Sequence, residues 1–164
     1  HHRALILRTN FFGWGPVYRR SFSDWIIDSL RAKRRINLFS DAMFSPIFLG
    51  TLVNIAHELV TKDVTGILHV VGNERLSKYD FGRRLCKFLG ISTELIYPSL
   101  LCDQMIQQDN LALRPLDMSL SNDKLTSIIG SQELQLDTMI EDMFKQHEIA
   151  RSLATIDTKT NYGQ

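Results

Sequence analysis

Three short stretches of this chain hold residue types better suited to ligand chemistry than to scaffold. The first is Arg8-Thr9-Asn10-Phe11-Phe12-Gly13, polar and aromatic residues placed directly behind a short apolar run. In open α/β sheets the carboxyl ends of buried strands are where ligands gather. The second is Phe44-Ser45-Pro46, and the third is an arginine-led loop from Arg114-Pro115 through Asp117 and Ser119 to Ser121-Asn122-Asp123-Lys124-Leu125. An arginine fork matches phosphate oxygens in a bidentate way, which makes Arg114 a candidate anion contact. The other reading of Arg114 is a residue that braces its own loop, with Ser119 to Lys124 a plain helix entrance.

Other chemistry is missing from the sequence. Gly13-Trp14-Gly15-Pro16 has the wrong spacing for a dinucleotide-binding turn, and no Gly-Lys-Ser/Thr phosphate loop occurs. His57, His69 and His147 are scattered over different elements with no HExxH pair, and no serine stands in a nucleophile elbow. His1-His2 at a free terminus is a poor basis for a metal site, so no metal ligand set is expected. Cys86 and Cys102 are too few for a disulfide framework, and Cys86 among Leu85, Phe88 and Leu89 reads as a core residue.

The elements that must position these residues follow from pattern. Ala4 to Leu7 reads as a strand buried on both faces. A loop enforced by Gly13, Gly15 and Pro16 leads to a helix capped by Ser21 or Ser23, with Phe22, Trp25, Ile26 and Leu30 forming its apolar face. Its basic end, Arg31 to Arg35, suits the negative end of a helix dipole. Ile36 to Phe39 reads as a strand, Ser45 to Phe48 as an extended segment fixed by proline, and Leu49 to Val60 as a second amphipathic helix. Gly66 to Gly72 is the clearest buried strand. Ser77 and Asp80 form a capping-box pattern for a helix that Gly90 stops. Ser121 opens another helix through Ile129, and a last one runs from about Leu136 to Leu153. Strands alternating with helices favour α/β packing.

The chain has 164 residues, 44% of them apolar and 23% charged, with a net charge of +1. This is the profile of one folded domain or a large part of one. Near-neutrality gives no whole-molecule field for nucleic acid, and no run of about 18 apolar residues exists to cross a membrane. A reducing cytoplasm is the expected setting. A basic-helix contact through Arg31 to Arg35 would show as steeply salt-dependent binding.

Taken in order, these stretches resemble the second half of an extended short-chain dehydrogenase/reductase, closest to the dTDP-4-dehydrorhamnose reductases and related nucleotide-sugar reductases and epimerases. The resemblance rests on Leu7-Arg8-Thr9-Asn10-Phe11-Phe12-Gly13, Asp41-Ala42-Met43-Phe44-Ser45-Pro46, Gly66 to Gly72, Ser77-Lys78-Tyr79-Asp80-Phe81, and Arg114-Pro115 with Leu120 to Leu125. It implies the last strands of a Rossmann-like parallel sheet plus a small helical substrate-binding portion over residues 1–154, with 155–164 a polar tail. It also implies a parent enzyme that uses NAD or NADP to reduce a 4-keto sugar nucleotide. By position, Asn10 and Phe11 would face the substrate and nicotinamide, Ser45 and Pro46 would line the sugar-nucleotide side, and Arg114 would pair with the diphosphate.

Phe11 stands where the rhamnose-type reductases tend to carry tryptophan. The family's Gly-rich loop and Tyr-x-x-x-Lys pair are not in this sequence, and Tyr79, with Arg83 four residues on, is no substitute. The expectation is therefore a substrate-side portion that is inactive and binds no cofactor alone, since hydride transfer would lack its proton donor. Its expected partners are a nucleotide-diphosphate sugar and either a second copy or the missing N-terminal half. A non-catalytic binding or regulatory protein on the same scaffold is the alternative.

Overall fold

In the computed structural model, residues 4–16, 18–103 and 114–160 are described, with backbone only from 150 to 160. Strand β1 (Leu5–Arg8) is followed by β2 (Phe11–Phe12), α1 (Phe22–Arg31), β3 (Ile36–Phe39), β4 (Met43–Phe44), β5 (Ile47–Phe48) and α2 (Leu49–Thr61). Then come β6 (Gly66–His69), β7 (Leu76–Ser77), α3 (Lys78–Leu89), a 3-10 turn (Thr93–Leu95), β8 (Ile96–Ser99), α4 (Asp123–Ile129) and α5 (Leu136–Thr160).

The strands meet in pairs. β1 with β6, β2 with β5 and β3 with β8 are parallel, and β4 with β7 is antiparallel. Parallel neighbours so far apart in sequence require helical crossovers, and the chain is α/β as its pattern implies.

Capping fixes the helix starts. Ser21 accepts the N–H of Asp24 at 3.1 Å, and the Asp24 carboxylate accepts the N–H of Ser21 at 2.9 Å, a reciprocal capping box. Ser77 accepts the N–H of Asp80 at 3.0 Å and donates its hydroxyl to the Asp80 carboxylate at 2.7 Å. Gly90 ends α3 at φ 64°, the left-handed region where a side chain would cost energy. The core joins α1, β3, α3 and α5 around Phe81, whose ring meets those of Phe12 at 5.2 Å and Phe44 at 5.6 Å, both edge-on.

Several expectations are corrected. β1 is not buried on both faces: Leu5 and Leu7 are half-buried, while Ile6 is 52% exposed and its register partner Ile67 is 54% exposed. One face of this pair packs inward, and the other has no layer of the described residues on it. On α1 the inward residues are Ser23, Ile26, Ile27, Ser29 and Leu30, with Phe22 and Trp25 on the rim. In the Gly66–Gly72 run the strand ends at His69, the Val70 N–H still donates to the Arg8 carbonyl at 2.9 Å, and Val70 and Val71 are buried beyond the strand. Asn122, rather than Ser121, is the residue before α4, although the Ser121 hydroxyl still accepts the Asp123 N–H at 3.2 Å. Helix α5 continues past Leu153 to Thr160. No helix among the described residues is long and apolar enough to cross a membrane.

Candidate functional site

The chain leaves β1 through Thr9 and Asn10 and turns into β2, and this short link is the hinge of the site. The Asn10 carbonyl accepts the N–H of Ile47 at 3.2 Å, where β2 and β5 begin to pair. The Asn10 side-chain oxygen accepts the N–H of Ser45 at 3.2 Å. Ser45 in turn is almost fully buried, and its hydroxyl lies 3.4 Å from both the N–H and the carbonyl of Leu120. One polar chain thus ties the three sequence stretches together.

The late loop is stitched to β4 by backbone. Met43 donates its N–H to the Leu116 carbonyl at 2.7 Å, and Met118 donates to the Met43 carbonyl at 2.9 Å. Arg75 then clamps the loop through two nitrogens on one Asp117 oxygen, at 2.7 and 3.2 Å. The other Asp117 oxygen accepts the hydroxyl of Ser119 at 2.6 Å and its N–H at 2.9 Å. The Arg75 guanidinium first, and then Ser119, hold the Asp117 carboxyl well below the usual carboxylate range. Further along, Asn122 donates to Asn73 at 2.8 Å, and the Lys124 ammonium donates to the Ile67 carbonyl of β6 at 3.1 Å.

Successive residues of an extended segment point to opposite sides, and here that geometry makes two pockets. Ser45 backs a polar one of about 430 Å³, with Asn73, Arg75, Ser119 and Ser121 around it. Phe44 faces the other way, into an aromatic pocket of about 590 Å³ whose walls include Phe11, Trp14 and Phe22. The first offers hydroxyls, amides and a guanidinium to a hydroxylated or anionic ligand, and the second offers ring faces.

Asn10 and Ser45 are thus joined, and Phe11, 60% exposed, stands on the aromatic side. Pro46 is buried, and its carbonyl presses on Gly72 so closely that a Cβ there would overlap it. Arg114 is exposed at the mouth of the late loop, without a hydrogen bond or ion pair to another described residue. The sequence reading missed the Arg75–Asp117 clamp, although Asp-x-Ser is a recognisable turn pattern whose acid calls for a partner.

Of the histidines, His57 is exposed and His147 stacks on Trp14 with ring centroids 4.3 Å apart. Cys86 is buried, as expected of a core residue. Among the described residues no three His, Cys, Asp or Glu side chains gather as a metal site would require.

A family model described as RmlD substrate binding domain matches residues 1–149. The chain is 28% identical over 138 residues to the Haloferax volcanii protein named "Probable low-salt glycan biosynthesis reductase Agl14", covering 82% of this chain and 44% of that one. The dTDP-4-dehydrorhamnose reductase of Bacillus anthracis, solved in complex with NADP, superimposes with a TM-score of 0.74 at 17% identity, over 87% of this chain and 48% of that one. A hypothetical dTDP-4-dehydrorhamnose reductase from Sulfolobus tokodaii gives 0.66 at 24% identity, over 84% and 46%. The chain spans about half the length of the relatives it matches. The resemblance read from the sequence motifs is borne out.

Proposed function

The chain belongs to the family of RmlD substrate binding domains, and on that premise we propose that it forms the nucleotide-sugar-binding part of an NAD(P)-dependent reductase of 4-keto sugar nucleotides. The observation that carries this reading is the Asn10–Ser45–Leu120 chain of hydrogen bonds. It draws the three motifs that carry the resemblance into one wall, where a fold-only likeness would leave them apart.

In this reading Phe11 meets the ligand with its exposed ring. Asn10 and Ser45 shape the wall from behind, since their polar atoms are largely spent on each other and on Leu120, and the buried Pro46 backs them. Arg114, exposed and without a partner among the described residues, offers its guanidinium to the diphosphate. The residues of this chain do not fit a dinucleotide: the glycines between β2 and α1 lack the Gly-x-Gly-x-x-Gly spacing, and no Tyr-x-x-x-Lys pair is present in the sequence. No chemical step is therefore assigned to them, and on this proposal the chain alone is inactive.

The test is thermal unfolding of the chain with millimolar dTDP, UDP or NADPH. Ligand at a hundred times its dissociation constant stabilises by about 2.7 kcal/mol, so a diphosphate should raise the midpoint by several degrees. That rise should disappear in Arg114→Ala, and NADPH should give none. A chain that responds to NADPH and to neither diphosphate overturns the proposal.

A further inference from the structure

Lys78 is a cation in a place that disfavours cations. It is the first residue of α3, at the end of the helix where the dipole is positive. It is largely buried, and burial lowers its pKa to about 8. Its Nζ has no hydrogen-bond or carboxylate partner among the described residues. Its neighbours are ring faces instead, with Nζ 3.2 Å from the centroid of Phe44 and 5.0 Å from that of Phe22.

The ammonium lines the aromatic pocket of about 590 Å³, which Arg19 and Arg20 also border and to which no Asp or Glu among the described residues contributes. Arg20 is turned toward Asp28 at 3.5 Å. On α1, Asp24 uses one oxygen on the N–H groups of Gly15 and Ser21 at 2.8 and 2.9 Å, and its other oxygen is buried without a hydrogen-bond partner among the described residues. Asp80, on Lys78's own helix, is bonded to Ser77. Among the described residues the pocket therefore combines apolar ring walls and positive charge with no carboxylate in its lining, and this arrangement suits an anion attached to a ring.

We propose that Lys78 is the anion anchor of this pocket, pairing its ammonium with a phosphate or carboxylate on a ligand whose ring packs against the aromatic walls. The assignment deepens the nucleotide-sugar reading and rests on it only for the ligand's identity. In such a ligand the anion is either the diphosphate or an acid group on the sugar.

The test is calorimetric titration of the chain, Lys78→Met and Lys78→Arg with uridine, UDP, UDP-glucose, UDP-glucuronate and phenyl phosphate. Circular dichroism and the unfolding transition verify that each variant is folded. Lys78→Met should weaken the anions about ten-fold or more at pH 7, leave uridine unchanged, and be largely rescued by Lys78→Arg. Between pH 7 and 9.5 the parent should lose affinity for phenyl phosphate as the ammonium deprotonates, and Lys78→Met should not.

Equal losses for UDP and UDP-glucose place the diphosphate at Lys78. A loss confined to UDP-glucuronate places a sugar carboxylate there. Anions that bind folded Lys78→Met within two-fold of the parent overturn the anchor, and so does failure of every probe to bind. If Arg114→Ala abolishes UDP binding while Lys78→Met does not, the anchor falls and the nucleotide reading stands. If phenyl phosphate binds through Lys78 and no nucleotide does, the reverse holds.

Discussion

The side-chain oxygen of Asn10 accepts the backbone N–H of Ser45, 35 residues away, at 3.2 Å. This bond latches the link behind β1 to the segment between β4 and β5, and Ser45 then carries the connection on to Leu120. The polar wall of the site is thus held by a relay whose first member is replaceable without touching the core.

Asn10→Ala should therefore destabilise the chain by about 1–3 kcal/mol, because the nearly buried Ser45 N–H loses its acceptor. Asn10→Asp, which keeps an acceptor in place, should recover most of that loss. Urea unfolding followed by circular dichroism measures both, and equal stability of Asn10→Ala and the parent would show that this bond does not hold the wall.

The clamp at the other end predicts a pH dependence. Arg75 and Ser119 hold the Asp117 carboxyl below its ordinary range, so the folded state binds its proton less readily than the unfolded one. The stabilisation is fully present above the ordinary aspartate value of 3.8 and is lost as pH falls through the lower folded value. Asp117→Asn should flatten the acid limb of the stability curve below about pH 4. Its effect at pH 7 should be small, because both partners are about half exposed. Chemical unfolding midpoints at pH 5, 4 and 3 for the parent and the variant give the comparison.

What could be read from the sequence was mostly local. Ser77, Asp80 and Gly90 announce both ends of α3, and the Ile36 to Phe39 strand has the bounds that were expected. Local signals succeed because a cap or a left-handed glycine acts within one turn of chain. The burial of β1 and the inward face of α1 were misread, because periodicity marks which residues are apolar and not which of them a neighbour covers. Phe22 and Trp25 satisfy the helical spacing and still sit on the rim. Asn10, Phe11 and Ser45 stand out in the sequence through their motifs, and the fold joins Asn10 to Ser45 and leaves Phe11 exposed on a pocket wall. The Arg75–Asp117 clamp and the place of the largely buried Lys78 in the wall of a pocket are not legible, since both depend on contacts between segments far apart in sequence.

Gly72 tests how tightly the wall is built. A Cβ at this position would overlap the Pro46 carbonyl and press on the Met139 side chain at 3.2 Å. Backbone cannot yield as a side-chain tip can, so Gly72→Ala should cost about 2–3 kcal/mol by overpacking. It should also displace Ser45 and weaken whatever binds the polar pocket. Alanine at Gly90, which meets open space and suffers only from its positive φ, should cost about 1 kcal/mol. Thermal unfolding of the two variants side by side separates close approach from backbone strain.

Lys78 makes the last prediction, in which stability and binding run in opposite directions. Burial lowers its pKa from 10.5 to about 8, so between those values the unfolded chain holds a proton that the folded chain has released. Stability contributed by this residue therefore rises as pH increases from 8 to 10.5, and the full cost of the buried ammonium is felt below 8. Removing the charge should stabilise the fold at pH 7 by an amount on the order of 1–3 kcal/mol, with the ring contacts on Phe44 and Phe22 subtracting part of the gain. Lys78→Met should thus unfold at higher urea than the parent at pH 7 and lose that advantage by pH 10.5. A residue kept against its own folding cost is what a binding role requires. A Lys78→Met chain less stable than the parent at pH 7 would instead make the ammonium a structural cation–π contact.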